Sequence, residues 1–369
     1  MRKQGRHYSE RNVHRFFSRD LEYFMALGCN NMRKVAIIGA GAIGSTLGAL
    51  LDRAREQIYL VGRPDHVKAI KMNRGLALDG IKGSIIARIQ AIETLDFRPD
   101  LALLTVKTQD VVSTLAPLQK YLVDVPVLTA QNGIRCDELA ASVIGKSNLL
   151  SAMMRFTSTF LEPGKVTLIE QGGIVIGRPF PEGRIDPLLF RDMLIKIMPT
   201  SITQNIEGVR WSKLIFNLNN ALAAITGHPM QGFSENPGLF RVAVRMMKEG
   251  LAVAHALGIQ LEPIPGSPVG LMKLLAMLPV RIGASLARIG FNRARRRLYD
   301  QPLYGSTLQS LMRHRPTEID YLNGEVARLG QTVGIDTPVN ADIVDLVHQV
   351  EQTGKFMSPV DLINKTEGA

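Results

Sequence analysis

At Lys34 the chain switches abruptly into a short apolar run, KVAII, of the kind that a strand buried on both faces of a parallel sheet requires. A helical pattern follows over Ser45–Arg53 and a second strand run over Gln57–Val61. Further strand runs are expected over Asp100–Lys107 and Val125–Gly133, and again across Leu149–Gly177 around a Pro163-Gly164 turn. Pro187–Ile197 reads as a helix. From Gly208 onward the period is helical almost to the end, with no internal repeat and no low-complexity tract. These patterns predict an α/β chain, a sheet wound on both sides followed by an all-α C-terminal domain. The expected boundaries are an extension over 1–31, a sheet domain over 32–205, a helical domain over 206–360 and a tail over 361–369. The extension holds arginines and aromatics in no clear period and stops just before Met32, which reads as a natural start. A targeting arm is the alternative, although no apolar stretch followed by small residues marks a secretory signal.

The first strand runs straight into GAGAIG. Gly39, Gly41 and Gly44 stand at the spacing of the dinucleotide fingerprint, one for the tight turn, one for close approach of backbone to a pyrophosphate and one for helix packing. Ala40, Ala42 and Ile43 lie between them and belong to the same loop. Alone the motif is weak, but here it sits between a strand and a helix with a second strand at the right distance, so the first domain is expected to be Rossmann-type. A glycine-rich structural turn is the alternative. The residue ending the second strand faces the adenosine ribose, and an acid there would select NAD. This strand ends in Gly62 and Arg63, and an arginine can pair with a 2′-phosphate, which points to NADPH/NADP. A solvated arginine paired with Asp65 is the bland reading of Arg63. Ligands bind beyond the carboxyl ends of strands in such sheets, which makes Lys107 and the Gln131-Asn132-Gly133 segment site candidates. An exposed lysine and a simple turn are their alternatives.

The informative helix is expected at Trp211–Ile225. Lys213, Asn217, Asn220 and Ala224 fall at i, i+4, i+7 and i+11 and share one stripe, while apolar residues cover most of the rest. One amine and two short amides suit a cleft wall, where each polar group needs a partner, better than an outer face; a narrow solvent stripe is the alternative. In the segment from Ser306, Thr317 can cap a helix whose first turn carries Glu318 and Asp320, a sufficient structural explanation by itself. A carboxylate near Lys213 would also tune and orient that amine as a proton donor.

Composition narrows the classes. With 369 residues, 46% apolar and 21% charged, the chain is too apolar for disorder and long enough for two domains. The greasy run Leu271–Phe291 is interrupted by Lys273, Arg281 and Arg288, so no membrane span is expected. Cys29 and Cys136 cannot build a framework of bridges, and a reducing cytoplasm fits best. The net charge of +11 is uneven: residues 1–31 carry +3, and Arg281, Arg288, Arg293, Arg295, Arg296 and Arg297 add +6 with no acid among them. That cluster lacks interleaved aromatics, so a solvated face or an anion-attracting lip is expected rather than nucleic-acid binding. The seven histidines show no metal-ligand spacing, and no metal is expected.

In order along the chain, GAGAIG, the Arg63 tip, TVK, QNG, WSKLIFNLNNALAAI and RPTEIDYLNG resemble the ketopantoate reductase family, from about Met32 to the C-terminal helices. The resemblance implies NADPH-dependent reduction of a small 2-keto acid, ketopantoate, in pantothenate synthesis, by a monomer or homodimer. Another 2-keto acid, or NADP(H) sensing without turnover, is the rival reading. The resemblance implies Lys213 as the general acid and Glu318 as the group that orients it and contacts substrate. Asn217 and Asn220 would hold the substrate's hydroxyl end, Ser306 its carboxylate, and Asn132 and Lys107 would sit beside the nicotinamide ribose. The chain departs from the family pattern in three places, one being the lack of the Thr that members commonly carry near Ala223 or Ala224. The stripe asparagines are three apart rather than four, with Asn219 between them, and the stretch Pro263–Pro302 is longer and more basic than compact members need.

Overall fold

The computed structural model describes residues 33–264, 269–298 and 304–367. The extension expected over 1–31, Cys29 and the side chains of Arg295, Arg296 and Arg297 lie outside the described residues. The sheet half comprises β1 (Lys34–Ile38), α1 (Ala42–Arg53), β2 (Gln57–Val61), α2 (Pro64–Met72), β3 (Leu76–Gly80), β4 (Ile85–Ala87), β5 (Gln90–Ile92), β6 (Leu101–Leu104), α3 (Val111–Leu115), α4 (Gln119–Leu122), β7 (Val127–Thr129), α5 (Cys136–Ile144), β8 (Leu149–Thr159), β9 (Lys165–Gly177), α6 (Leu188–Leu194) and β10 (Thr200–Ile202). The strands form one sheet in the order β4-β3-β9-β8-β7-β6-β1-β2-β5, with β10 beside β9.

From β5 to β8 every pairing is parallel. Alternation along β1 explains the two-sided winding: Val35 and Ile37 pack with α1 on one face, while Ala36 and Ile38 pack with α3 and α5 on the other. The sheet is larger and more mixed than the sequence pattern implies. β8 and β9 are antiparallel around the Pro163-Gly164 turn, and β3 runs parallel to β9 and antiparallel to β4. The short strands β3, β4, β5 and β10 have no counterpart among the expected elements, since three to five residues with mixed burial carry no readable period.

The helical half begins with α7 (Ile206–Asn217), α8 (Asn220–Thr226), α9 (Pro237–Ala256), α10 (Val269–Met277) and α11 (Val280–Leu298). It continues with α12 (Ser306–Met312), α13 (Asn323–Val333), α14 (Pro338–Thr353) and α15 (Pro359–Glu367). Trp211, Leu218, Leu222, Met246, Val326 and Val347 meet in its core. The single helix expected over Trp211–Ile225 is two. At the asparagine run the ladder tightens to i→i+3 bonds, with Ala221 N donating to Leu218 O and Leu222 N to Asn219 O, as expected where short amide side chains compete with backbone. The break ends the stripe early, and Ala224 is fully buried. Residues 361–367, expected in a tail, continue α15 instead. Leu362 is buried against the helical core and Arg241 pairs with Glu367 at 2.6 Å, so the apolar periodicity of that last segment was the overlooked signal. No described helix is long and apolar enough to cross a membrane.

Candidate active site

The carboxyl ends of β1, β6 and β7 meet α7, α8 and α12 around a cavity of about 630 Å³. On its sheet side the GAGAIG loop forms a cradle in which each glycine has a distinct reason. Gly39 takes φ +117°, and a Cβ there would lie 2.5 Å from Val106 N. Gly44 packs so closely that a Cβ would lie 2.1 Å from Gly39 O, whereas a Cβ on Gly41 would meet nothing within 4 Å. The open position beside Gly41 leaves room for another molecule's atoms to approach backbone. Gly41, Ala42 and Ile43 line the cavity, and Ala40 packs under Gly62 at the end of β2. The free N–H groups at the start of α1 point toward the same place, a ready anion site. Gln131 Nε2, which also lines the cavity wall, is buried without a partner. Open space at the second glycine, an anion-receptive helix start and an unpaired amide donor together fit a bound dinucleotide.

Arg63 is exposed at the tip of β2, outside the cavity lining. Its charge acts on Arg313, whose pKa is lowered by burial and then by Arg63 and Arg315. Arg313 lines the cavity with its guanidinium 5.5 Å over the Phe160 ring. The sequence pattern passed over Arg313, because only the fold brings α12's end to the β2 tip.

Lys107, Thr108 and Gln109 follow β6 and hold the helical half. Lys107 Nζ donates to Ser310 Oγ at 2.8 Å and to Pro316 O, and its pKa is lowered by burial. Gln109 Nε2 donates to Thr317 O at 2.9 Å. Thr108 gives Glu318 Oε1 its backbone N–H at 3.0 Å and lies within 3.1 Å of it through Oγ1. The same hydroxyl is 3.1 Å from Asn132 O, and with one proton to give it favours the carboxylate. Burial raises the Glu318 pKa, and the Thr108 N–H and Lys107 oppose that rise. Thr317 Oγ1 accepts from Ile319 N, while the segment turns as a short 3-10 helix over Ile319–Tyr321 before α13.

Lys213 reaches the cavity from α7, and its Nζ donates to Met154 O at 2.5 Å. Burial depresses its pKa to about 7, with the Arg210 charge adding to the fall and Glu318 opposing it. Asn217, Asn219, Asn220 and Ser306 line the same cavity, and a Cβ on the adjoining Gly305 would touch Asn220 Oδ1 at 3.0 Å. Lys213 and Glu318 are coupled by charge, while their hydrogen bonds lie elsewhere: Lys213 donates to Met154 O, and Glu318 accepts from Thr108.

Sequence reasoning also missed Arg210. It is buried and paired with Asp137 at 3.2 Å, and it donates to Gln131 O at 3.2 Å and Gly133 O at 3.0 Å, thereby clamping the loop that carries Asn132. Asp137 also accepts from Thr129 Oγ1 and from Ser151 Oγ at 2.8 Å. Gly133, at φ +80°, lets that loop pack where a Cβ would lie 2.6 Å from Tyr321 O. Arg210 and Asp137 are 73 positions apart, so no local spacing announces them.

Comparison with known proteins follows the same two halves. The family model described as ketopantoate reductase PanE/ApbA matches residues 35–179, and that described as ketopantoate reductase PanE/ApbA C terminal matches 205–351. A 2-dehydropantoate 2-reductase of Pyrococcus horikoshii is 30% identical over 327 residues, covering 87% of this chain and 98% of the relative. Among solved structures, a PanE/ApbA family ketopantoate reductase from Ralstonia eutropha superposes with a TM-score of 0.71 at 30% identity, covering 86% of this chain and 98% of that one. D-mandelate dehydrogenase with NADH and anilino(oxo)acetate shares the fold, with a TM-score of 0.72 at 24% identity over 87% of this chain and 99% of that one.

Proposed function

The chain belongs to the ketopantoate reductase family, and from that premise we propose that it reduces 2-dehydropantoate (ketopantoate) to pantoate with NADPH, in the synthesis of pantothenate. The observation that carries the mechanism is Lys213, an amine with its pKa near 7, lining a cavity that begins at a dinucleotide cradle. NADPH, when bound, supplies the hydride that reaches the carbonyl carbon. The chain's own work is to place the ketone and manage its oxygen. Lys213 in its ammonium form stabilises the negative charge that develops on that oxygen and then gives it a proton. Glu318 keeps a positive charge favoured on Lys213, and its Oε1 is held by Thr108, which leaves Oε2 for the substrate. Asn217 and Asn220 offer amides to the substrate's hydroxyl end, and Ser306 offers a hydroxyl to its carboxylate. The Gly39–Gly44 loop would hold the pyrophosphate, Arg63 the 2′-phosphate, and Lys107 and Asn132 the nicotinamide ribose. The same reading places the enzyme in the cytoplasm as a monomer or homodimer. Cys136, buried with its thiol pushed up to about 12, supports a free thiol rather than a bridge there.

The test is loss of NADPH absorbance with purified protein and ketopantoate, with NADH in parallel. Rapid oxidation of NADPH and slow oxidation of NADH is the expected result. NADPH binding without turnover of any keto acid would favour a sensor and remove the proposal.

A further inference from the structure

We propose that the part of the cavity beyond Lys213 is a binding chamber for a large apolar substituent, so that the enzyme also reduces 2-keto acids bearing a long alkyl or an aryl side chain. For its chemistry this rests on the reductase reading above; for its selectivity it rests on a different wall. Among the described residues the charged side chains that line the cavity are Lys107, Arg155, Glu170, Lys213, Arg313 and Glu318, which come from the sheet, the turn after β6, α7 and the segment after α12. The opposite wall is built by α9, α10, α11 and the turn before α9, and among the described residues it contributes no charged side chain to the lining. Phe233, Phe240, Met247, Met272, Leu275 and Phe291 form its surface.

That wall has two properties suited to an apolar guest. Phe240 and Phe291 meet edge to face at 5.7 Å, which fixes one side, while Met247 and Met272 can adapt to different shapes on the other. At the rim Leu271 and Leu286 line the cavity yet stay 49% and 45% exposed, so the chamber opens to solvent between α10 and α11 and does not cut off a long chain. A compact, hydroxyl-terminated acid such as ketopantoate leaves this wall wet. An alkyl or aryl tail removes both its own surface and the wall's from water.

The experiment measures kcat/KM from NADPH oxidation for straight-chain 2-keto acids from 2-oxobutanoate to 2-oxooctanoate, for phenylpyruvate and 2-oxoglutarate, and for ketopantoate. Expected is a rise of about fourfold per added methylene, acceptance of phenylpyruvate, and poor use of 2-oxoglutarate, whose second carboxylate would face the apolar side chains of Phe240, Met272 and Phe291. Gly290 also lines this region, and a Cβ there meets nothing within 4 Å, so Gly290→Phe starts its added bulk in open space and removes a helix-interior glycine. It should flatten the chain-length series and leave the ketopantoate rate unchanged; Ala287→Leu, on the same helix, is the second variant. A flat or falling series alongside normal ketopantoate turnover overturns the chamber and spares the family activity. A rising series without ketopantoate turnover overturns the ketopantoate reading and keeps the chamber. A rising series that neither variant alters shows that the tail binds elsewhere and overturns the assignment to this wall.

Discussion

The pKa of Lys213 turns the proposed acid chemistry into a measurable pH dependence. Its fall from 10.5 to about 7 has burial as the main cause, with Arg210 and Arg155 adding to it and Glu318 opposing it. That fall corresponds to about 5 kcal/mol by which the site disfavours the ammonium, relative to the neutral amine, compared with water. Reduction needs the ammonium, so activity belongs to the acidic side. At pH 6 about nine-tenths of the amine is charged and at pH 8 about one-tenth, so kcat/KM for reduction should fall about tenfold per pH unit above pH 7. The reverse oxidation needs the neutral amine and should rise over the same interval. The assay is the initial rate of NADPH oxidation at subsaturating ketopantoate from pH 5.5 to 9.5 at constant ionic strength. Glu318→Gln removes the charge that raises the Lys213 pKa and should move the midpoint down; Arg155→Gln removes one that lowers it and should move the midpoint up. Lys213→Ala should cost about 10²- to 10⁴-fold in turnover with NADPH affinity nearly intact. A profile without an inflection between pH 6 and 8, together with Lys213→Ala activity within threefold of the parent, would refute the assignment.

Gly44→Ala puts a methyl group 2.1 Å from Gly39 O and 2.5 Å from Thr105 Oγ1, so the cradle must shift; calorimetric titration should show markedly weaker NADPH binding and melting a lower Tm, and an unchanged Kd would contradict the packing role. Arg63→Ala should reduce the preference for NADPH over NADH by about 10- to 100-fold, the loss of one charge-assisted contact, and equal discrimination in parent and variant would return Arg63 to the solvent. Thr108→Val deletes the hydroxyl contact to Glu318 and spares the backbone one, at about 1 kcal/mol, or about fivefold in kcat/KM; a full-rate variant would detach this anchor from catalysis. His66 accepts from Gly164 N at Nδ1, which leaves the Nε2 hydrogen for Ser45 Oγ, and burial lowers its pKa below 6.5. Its stability contribution is therefore complete above about pH 6.5 and is lost as pH falls through the lower folded-state value; His66→Gln should weaken the drop in Tm between pH 7 and pH 5, and an identical drop would clear His66.

How much of this was legible depends on the range of the interaction. β1 and β2 fall on their expected residues because buried runs and a glycine turn are local signals, and the β8–β9 hairpin was readable from Pro163-Gly164. β3 and β10 are defined by what they lie beside, β9 in both cases, and their own residues carry no equivalent pattern. The polar stripe identified Lys213, Asn217 and Asn220 as neighbours, and all three do line one cavity although the helix beneath them breaks at Leu218 and Asn219. What no stripe reveals is the anchor: Thr108 and Glu318 are 210 positions apart, and their hydrogen bonds exist only because the segment after α12 docks on the end of β6. Tertiary contacts chose among readings that periodicity left equal.

The arrangement of α7 also shows why anchor and acid are hard to separate. Arg210 and Lys213 are three residues apart and so project from the same side of one helix. Arg210 turns toward Asp137 and the carbonyls of Gln131 and Gly133, fixing the helix to the loop at the end of β7, while Lys213 enters the cavity beside that loop. The buried guanidinium therefore sets the position of the amine relative to Asn132 and, through its charge, lowers the amine's pKa. Asp137 keeps that charge from being an uncompensated burial, which would otherwise cost about 3–5 kcal/mol. The Lys213 amine is thus tuned near neutrality first by its burial and then by the charge of a structural ion pair. Glu318, approaching from the segment after α12, holds the value from falling further, so in the proposed reduction the amine would be charged before the reaction and able to give up its proton during it.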